Sequence, residues 1–187
     1  FRRVLFRSKS FLKEYGKPDE CELRDFIIDL WELPERELQY FAQELLAVSK
    51  KHFQENDDRL IEYLIKTRSW WDTVDFIASN IAGPYFKIFP DKIMPVTQRW
   101  IQSGNIWLQR STLLLQLKYK KQTDTELLSK YILQLSSHNE FFIRKAIGWV
   151  LREYSKHNPE WVRSFLNKNQ LKPLSEKEAR KYLNKEI

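Results

Sequence analysis

The sequence predicts an all-helical protein built from repeated helix pairs, and three observations carry that expectation. No segment alternates apolar and polar residues with a convincing period of two, so no strand is expected. Only 4 of the 187 residues are Gly, while Leu, Lys, Glu and Gln are plentiful, a composition that favours helices over hairpins. Helical segments also recur at a near-constant offset. Trp107-Leu108-Gln109-Arg110-Ser111 aligns with Phe142-Ile143-Arg144-Lys145-Ala146, and 145 − 110 = 35.

Taken in order, the punctuation places helices over 19–31, 35–51, 57–67, 69–82, 91–102, 105–118, 124–136, 139–155, 159–168 and 175–185. Pro18-Asp19-Glu20, Pro34-Glu35, Pro90-Asp91 and Asn158-Pro159-Glu160 read as starts, with proline in the first turn and acids on the positive end of the helix dipole. Thr123-Asp124-Thr125-Glu126 and Ser175-Glu176-Lys177-Glu178 read as capping boxes. Gly83-Pro84 and Gly104 read as stops or joints. Further starts at Ser69-Trp70-Trp71 and near Pro34-Glu35 extend the offset to a helix-pair period of about 35–40 residues, the mark of TPR- or HEAT-like arrays. TPR consensus positions are not evident. A bulky apolar residue, then a basic one, then a small one in the second helix points to HEAT. Such arrays curve into a solenoid, an α-α superhelix, whose concave face suits a polymer.

Composition narrows the function classes. The net charge of +7 admits nucleic acid as a partner without requiring it. Cys21 is the only cysteine, so no internal disulfide or zinc framework is available, and it is expected to be a small buried hydrophobe. His52, His138 and His157 are far apart and show no metal-ligand spacing, so no metal is expected. No apolar run approaches the about 20 residues of a membrane span, and no secretory signal is evident, so the expected location is the cytoplasm. Phe1–Ser8 fits poorly with the rest of the chain and reads either as a non-native assembly scar or as the tail of a first helix, leaving 9–187 as a single repeat domain.

Three helices carry unusual residues. On 139–155, Phe142, Ile143, Ala146, Ile147, Val150, Leu151 and Tyr154 form the core stripe, and Lys145, Trp149 and Arg152 fall together off it. An aromatic flanked by cations suits a phosphate-and-sugar surface, although a margin tryptophan beside solvated cations gives the same pattern. On 69–82, Trp70, Val74, Ile77 and Ile81 form the stripe, while Trp71 and Asp75 stand at i and i+4 beside each other. Asp75 is either a functional carboxylate or a structural one, solvated or paired with Arg68. Helix 105–118 is apolar on almost every side, with Arg110 its only charge before Lys118, so it should be buried and Arg110 should find an anion, either Asp75 or an external phosphate.

Three segments together resemble the AlkD family of DNA glycosylases: Ser69-Trp70-Trp71-Asp72-Thr73-Val74-Asp75, Trp107-Leu108-Gln109-Arg110, and Glu140 through Tyr154 (EFFIRKAIGWVLREY). The spacing matches too, with 110 − 75 = 35 and 149 − 110 = 39. The likeness runs from about Asp19 to the C-terminus.

That resemblance implies a HEAT-like solenoid holding duplex DNA on its concave face. It implies hydrolysis of the N-glycosidic bond of cationic alkylpurines, chiefly 3-methyladenine and 7-methylguanine. Trp71, Asp75 and Trp149 match the family's catalytic cluster around the lesion's deoxyribose, and Arg110 matches its arginine beside the DNA backbone. Lys145 and Arg152 flank that cluster as candidate phosphate contacts. The family typically begins with further N-terminal helices carrying an aromatic near the lesion, for which this sequence shows no counterpart. The chemistry suits the residues. A cationic alkylpurine is already a good leaving group and needs no general acid, while a carboxylate stabilises the oxocarbenium-like sugar. No lysine is placed for Schiff-base chemistry beside Asp75, so a monofunctional glycosylase is expected; a monomer without a cofactor is expected as well. In this family the base need not be extruded, unlike most enzymes that act on bases. The alternative is a non-catalytic HEAT-repeat module binding distorted or branched DNA. Asp75 between the two tryptophans argues for the enzyme.

Overall fold

The computed structural model describes residues 22–183, together with Lys13, Gly16 and Asp19. The expectations for Phe1–Ser8, Pro18 and Cys21 lie outside the described residues. Among the described residues every regular element is helical. The chain divides into two compact units, Phe1–Pro90 and Asp91–Ile187.

The first unit contains α1 (Leu23–Glu32), α2 (Arg36–Val48), α3 (Asp57–Lys66), α4 (Trp71–Ile77) and α5 (Gly83–Ile88). Helix α1 packs on α2 and α3, and α4 packs on α2 and α3. Helices two apart in sequence therefore lie side by side, α1 with α3 and α2 with α4, which makes two layers. Ile27, Trp31, Leu45, Leu64, Ile65, Val74 and Ile77 are fully buried between them. The turn into α4 is anchored from α1, where Trp31 Nε1 donates to the Thr67 carbonyl at 3.0 Å and Arg68 Nη2 donates to the Glu32 carbonyl.

The second unit repeats the plan with α6 (Ile93–Gln102), α7 (Ile106–Leu114), α8 (Thr125–Leu135), α9 (Phe141–Ser155), α10 (Pro159–Lys168) and α11 (Pro173–Leu183). Helix α9 packs on α7, α10 and α11, and α6 packs on α7 and α8. The period is regular: α2, α4, α7 and α9 begin at 36, 71, 106 and 141, so 71 − 36 = 106 − 71 = 141 − 106 = 35. Asparagine and aspartate cap three helices of the second unit, α7, α8 and α10. Asn105 Oδ1 accepts from the backbone N–H of Trp107 and Leu108 at 2.9 and 3.2 Å, and Asn158 Oδ1 from Trp161 at 3.1 Å. Gly104, at φ +70, turns the chain into α7 as a joint should.

Four expectations change. Gly83-Pro84 is a joint and not a stop. The chain stays helical from Trp71 to Ile88 through a π turn over Ala78–Ala82, in which Gly83 N–H reaches the Ala78 carbonyl five residues back. Pro84 has no N–H to give and its ring would crowd the carbonyl four residues earlier, so the wider turn absorbs the mismatch. The cap of α8 is Asp124, not Thr123: its carboxylate accepts from Glu126 and Leu127 N–H at 3.0 Å each, while Thr123 Oγ1 donates to Lys120. Ser175 and Glu178 are not a capping box, because α11 already begins at Pro173 and both residues face α9. Helix α7 ends at Leu114 rather than 118, yet every residue from Leu108 to Gln116 is buried, as its apolar surround predicts.

Candidate nucleic-acid interface

In the first unit the candidate residues stand at the start of α4. Trp70 is in extended conformation (φ −142, ψ 147) and caps the helix, and 49% of it is exposed. Its expected place in the core stripe is therefore wrong, because a helical wheel does not apply to a residue outside the helix. Trp71, the first helical residue, is 46% exposed, and Asp75, one turn on, is 9% exposed. An open indole thus adjoins a mostly buried carboxylate. The Asp75 carbonyl accepts from Ser79 Oγ at 2.8 Å, which ties the residue to the π turn. π turns of this kind concentrate at functional sites.

A network from α2 holds the Trp70-Trp71 pair. Arg36 Nη2 donates to Asp72 at 2.7 Å and to Tyr40 Oη at 2.9 Å, and Tyr40 Oη donates to Asp72 Oδ2 at 2.7 Å. The Arg36 guanidinium also lies over the rings of Tyr40 and Trp70, at 5.3 and 5.5 Å from their centroids. Burial, followed by the adjacent Asp72 carboxylate, raises the Tyr40 phenol above its ordinary pKa and keeps it a donor. Sequence reasoning missed this network. Its signal was the 36-residue spacing of Arg36 and Asp72, one repeat apart.

In the second unit, Arg110 on α7 is 4% exposed, donates from Nη1 to the Phe142 carbonyl at 2.5 Å, and lies 5.9 Å from the Phe142 ring centroid. Trp107 packs on the same ring, with centroids 5.0 Å apart. Along α9, Phe142, Lys145, Trp149 and Arg152 fall at i, i+3, i+7 and i+10, a single stripe of half-buried residues, so Phe142 joins the cations and not the core stripe expected for it. Lys145 Nζ and Arg152 Nη1 both reach Glu178 Oε2 on α11, at 3.2 and 2.8 Å, and Lys181 Nζ pairs with Glu178 Oε1. Glu178 is only 5% exposed. Burial opposes its ionisation, but hydrogen bonds and charges from Lys181 and Lys145 outweigh that, and its pKa is held below the ordinary value.

The six candidate residues therefore form two local groups: Trp71 with Asp75 on α4, and Arg110, Lys145, Trp149 and Arg152 on the adjoining helices α7 and α9. Among the described residues no cluster of three His, Cys, Asp or Glu side chains is placed to hold a metal ion, and no helix is long and apolar enough to cross a membrane.

An all-helical repeat with two tryptophan–charge groups defines a class of helical-repeat protein whose polar chemistry is concentrated on its recurring second helices. The chain belongs to the DNA alkylation repair enzyme family, whose model matches residues 6–183. It is similar to a structure described as a predicted DNA alkylation repair enzyme from Enterococcus faecalis, with 34% identity, a TM-score of 0.86, and coverage of 97% of this chain and 85% of that one. Two structures from Streptococcus mutans share the fold at 20% identity over 97% of this chain: AlkD2 (TM-score 0.72, 89% of that chain) and smu.31 (TM-score 0.70, 98% of that chain). A search of curated proteins finds no match. Family membership assigns the chain a role in DNA alkylation repair, with DNA as its partner.

Proposed function

We propose that the protein is a monofunctional glycosylase that hydrolyses the N-glycosidic bond of cationic alkylpurines, 3-methyladenine and 7-methylguanine, in duplex DNA. The observation that carries the reading is the Trp71–Asp75 pair, an exposed tryptophan one turn from an aspartate residue that is 9% exposed. An N3- or N7-alkylated purine leaves without protonation. The barrier lies in the positive charge that develops on the deoxyribose, and a fixed carboxylate in a water-poor setting lowers it. The exposed indole face of Trp71 adds cation–π attraction for that sugar, about 0.5–2 kcal/mol. Asp75 also orients the attacking water. In the second unit, Arg110, Lys145 and Arg152 serve backbone phosphates, with Trp149 between the last two. Each residue group then serves DNA from its own unit of the helical repeat, and the protein acts as a monomer in the cytoplasm.

The test is direct. The full chain is incubated with duplex DNA carrying 7-methylguanine, and free base is separated from intact strand. Release of 7-methylguanine with an abasic site and no strand cleavage is the expected result. Tight duplex binding without base release would instead favour a non-catalytic DNA-binding module.

A further inference from the structure

Glu178 was not singled out by any sequence motif for DNA, yet it is the acid around which Lys145, Arg152 and Lys181 are arranged. Its Oε2 takes both Lys145 Nζ and Arg152 Nη1, and these two residues lie at i−4 and i+3 from Trp149. One buried oxygen thus sets the separation of the two cations that flank the indole. Neither cation is used up. Lys145 keeps 35% and Arg152 keeps 29% of side-chain surface exposed, and an ammonium and a guanidinium carry three and five donors respectively.

The backbone beneath is fitted to this arrangement. A Cβ at Gly148 would lie 2.4 Å from Glu178 Cβ and 2.7 Å from the Ser175 carbonyl, so only glycine lets α11 come this close. Ser175 Oγ fastens the approach by donating to the Arg144 carbonyl at 2.9 Å. Lys181 completes the set on Oε1 and leaves the cluster with a net charge of about +2 from three cations and one acid.

We propose that Glu178 is a positioning residue for DNA: it holds Lys145 and Arg152 on the two flanks of Trp149 so that one backbone phosphodiester is taken by both cations and the duplex is registered on the indole. The proposal rests on the glycosylase reading for its catalytic consequence and on DNA binding alone for the rest. Losing the carboxylate frees the cations and lets them drift apart, whereas shortening it keeps the charge but moves its oxygens by about one bond.

The experiment compares wild type, Glu178→Gln and Glu178→Asp in the full chain by thermal melting, by affinity for an undamaged duplex over a salt series, and by single-turnover release of 7-methylguanine. Glu178→Gln is expected to steepen the slope of log K against log salt by about 0.9, as one more cation becomes available to phosphate. It is also expected to slow excision about 10-fold, since displacements of about 1 Å near a reacting centre cost up to 10²-fold. Glu178→Asp is expected to keep the wild-type slope and still lose rate. If Glu178→Gln melts at the assay temperature, Glu178→Asp carries the test. A folded Glu178→Gln protein with wild-type slope and rate overturns the proposal, and so does full rescue of rate by aspartate. If wild type releases no base, the glycosylase reading fails by itself, and an unchanged slope in Glu178→Gln then overturns the positioning role.

Discussion

Tryptophan is used in two opposite ways in the first unit, and the difference can be measured. Trp31 is fully buried and its Nε1 is bonded to the Thr67 carbonyl, whereas Trp71 keeps 46% of its surface exposed at the head of α4. Trp31→Ala should cost about 3–5 kcal/mol, the usual loss for a core aromatic. Trp71→Ala should cost about 1 kcal/mol or less, because its face is open rather than in the core, and on the proposed glycosylase reading it should also slow base release. Parallel melting and single-turnover assays separate the two, and a Trp71→Ala protein that is destabilised like Trp31→Ala would place the indole in the core after all. The i, i+4 relation of Trp71 and Asp75 was legible because it lies within one helix. The role of Trp70 was not. A wheel drawn through 69–82 puts it inward, but its extended backbone takes it off the wheel and under the Arg36 guanidinium.

Helix α11 shows how an element can carry a local signature that another element overrides. Ser175 and Glu178 have capping-box spacing, but a cap is needed only where a helix begins, and Pro173 has already begun this one. Their partners come from α9, more than 25 residues away, and no local pattern encodes them. Gly148 is the sequence trace of that contact. Gly148→Ala must push α11 away from α9, and a loss of about 1–3 kcal/mol is expected by denaturant unfolding, against the small gain usual for alanine in a helix. The ion pairs also give a pH signature. Because the pKa of Glu178 is lowered on folding, its contribution is present above the unfolded-state value and is lost as pH falls through the folded one, below the ordinary 4.5. The melting-temperature gap between wild type and Glu178→Gln should therefore be full near pH 7 and shrink in acid below that value. A gap that widens on acidification would contradict the pairing. Gly83-Pro84 misled for a related reason: proline ends an α-helix by removing one donor, and a π turn supplies another route for the ladder.

At the scale of the whole molecule, the 35-residue step was readable because it repeats in side chains and in starts alike, from Arg36 through Trp71 and Ile106 to Phe141. The repeat architecture followed from it, and the segments at Ser69–Asp75, Trp107–Arg110 and Glu140–Tyr154 carried the resemblance that family membership bears out. Pairings between helices were not readable, because packing partners one repeat away have no fixed sequence mark. The net charge of +7 makes duplex binding salt-dependent in this account. Removing Lys145 and Arg152 together should lower the slope of log K against log salt by about 0.9, since the two share one phosphate contact, and an unchanged slope would show that both cations serve only Glu178. The central claim is that the Asp75 carboxylate stabilises a developing sugar cation, and Asp75→Asn tests it most directly because shape is kept while charge is lost. Single-turnover release of 7-methylguanine is to be measured beside thermal melting. The account predicts a folded variant whose excision falls at least about 10²-fold, about 2.7 kcal/mol, with duplex affinity held or slightly tightened. Near-wild-type excision by a well-folded Asp75→Asn protein would contradict it.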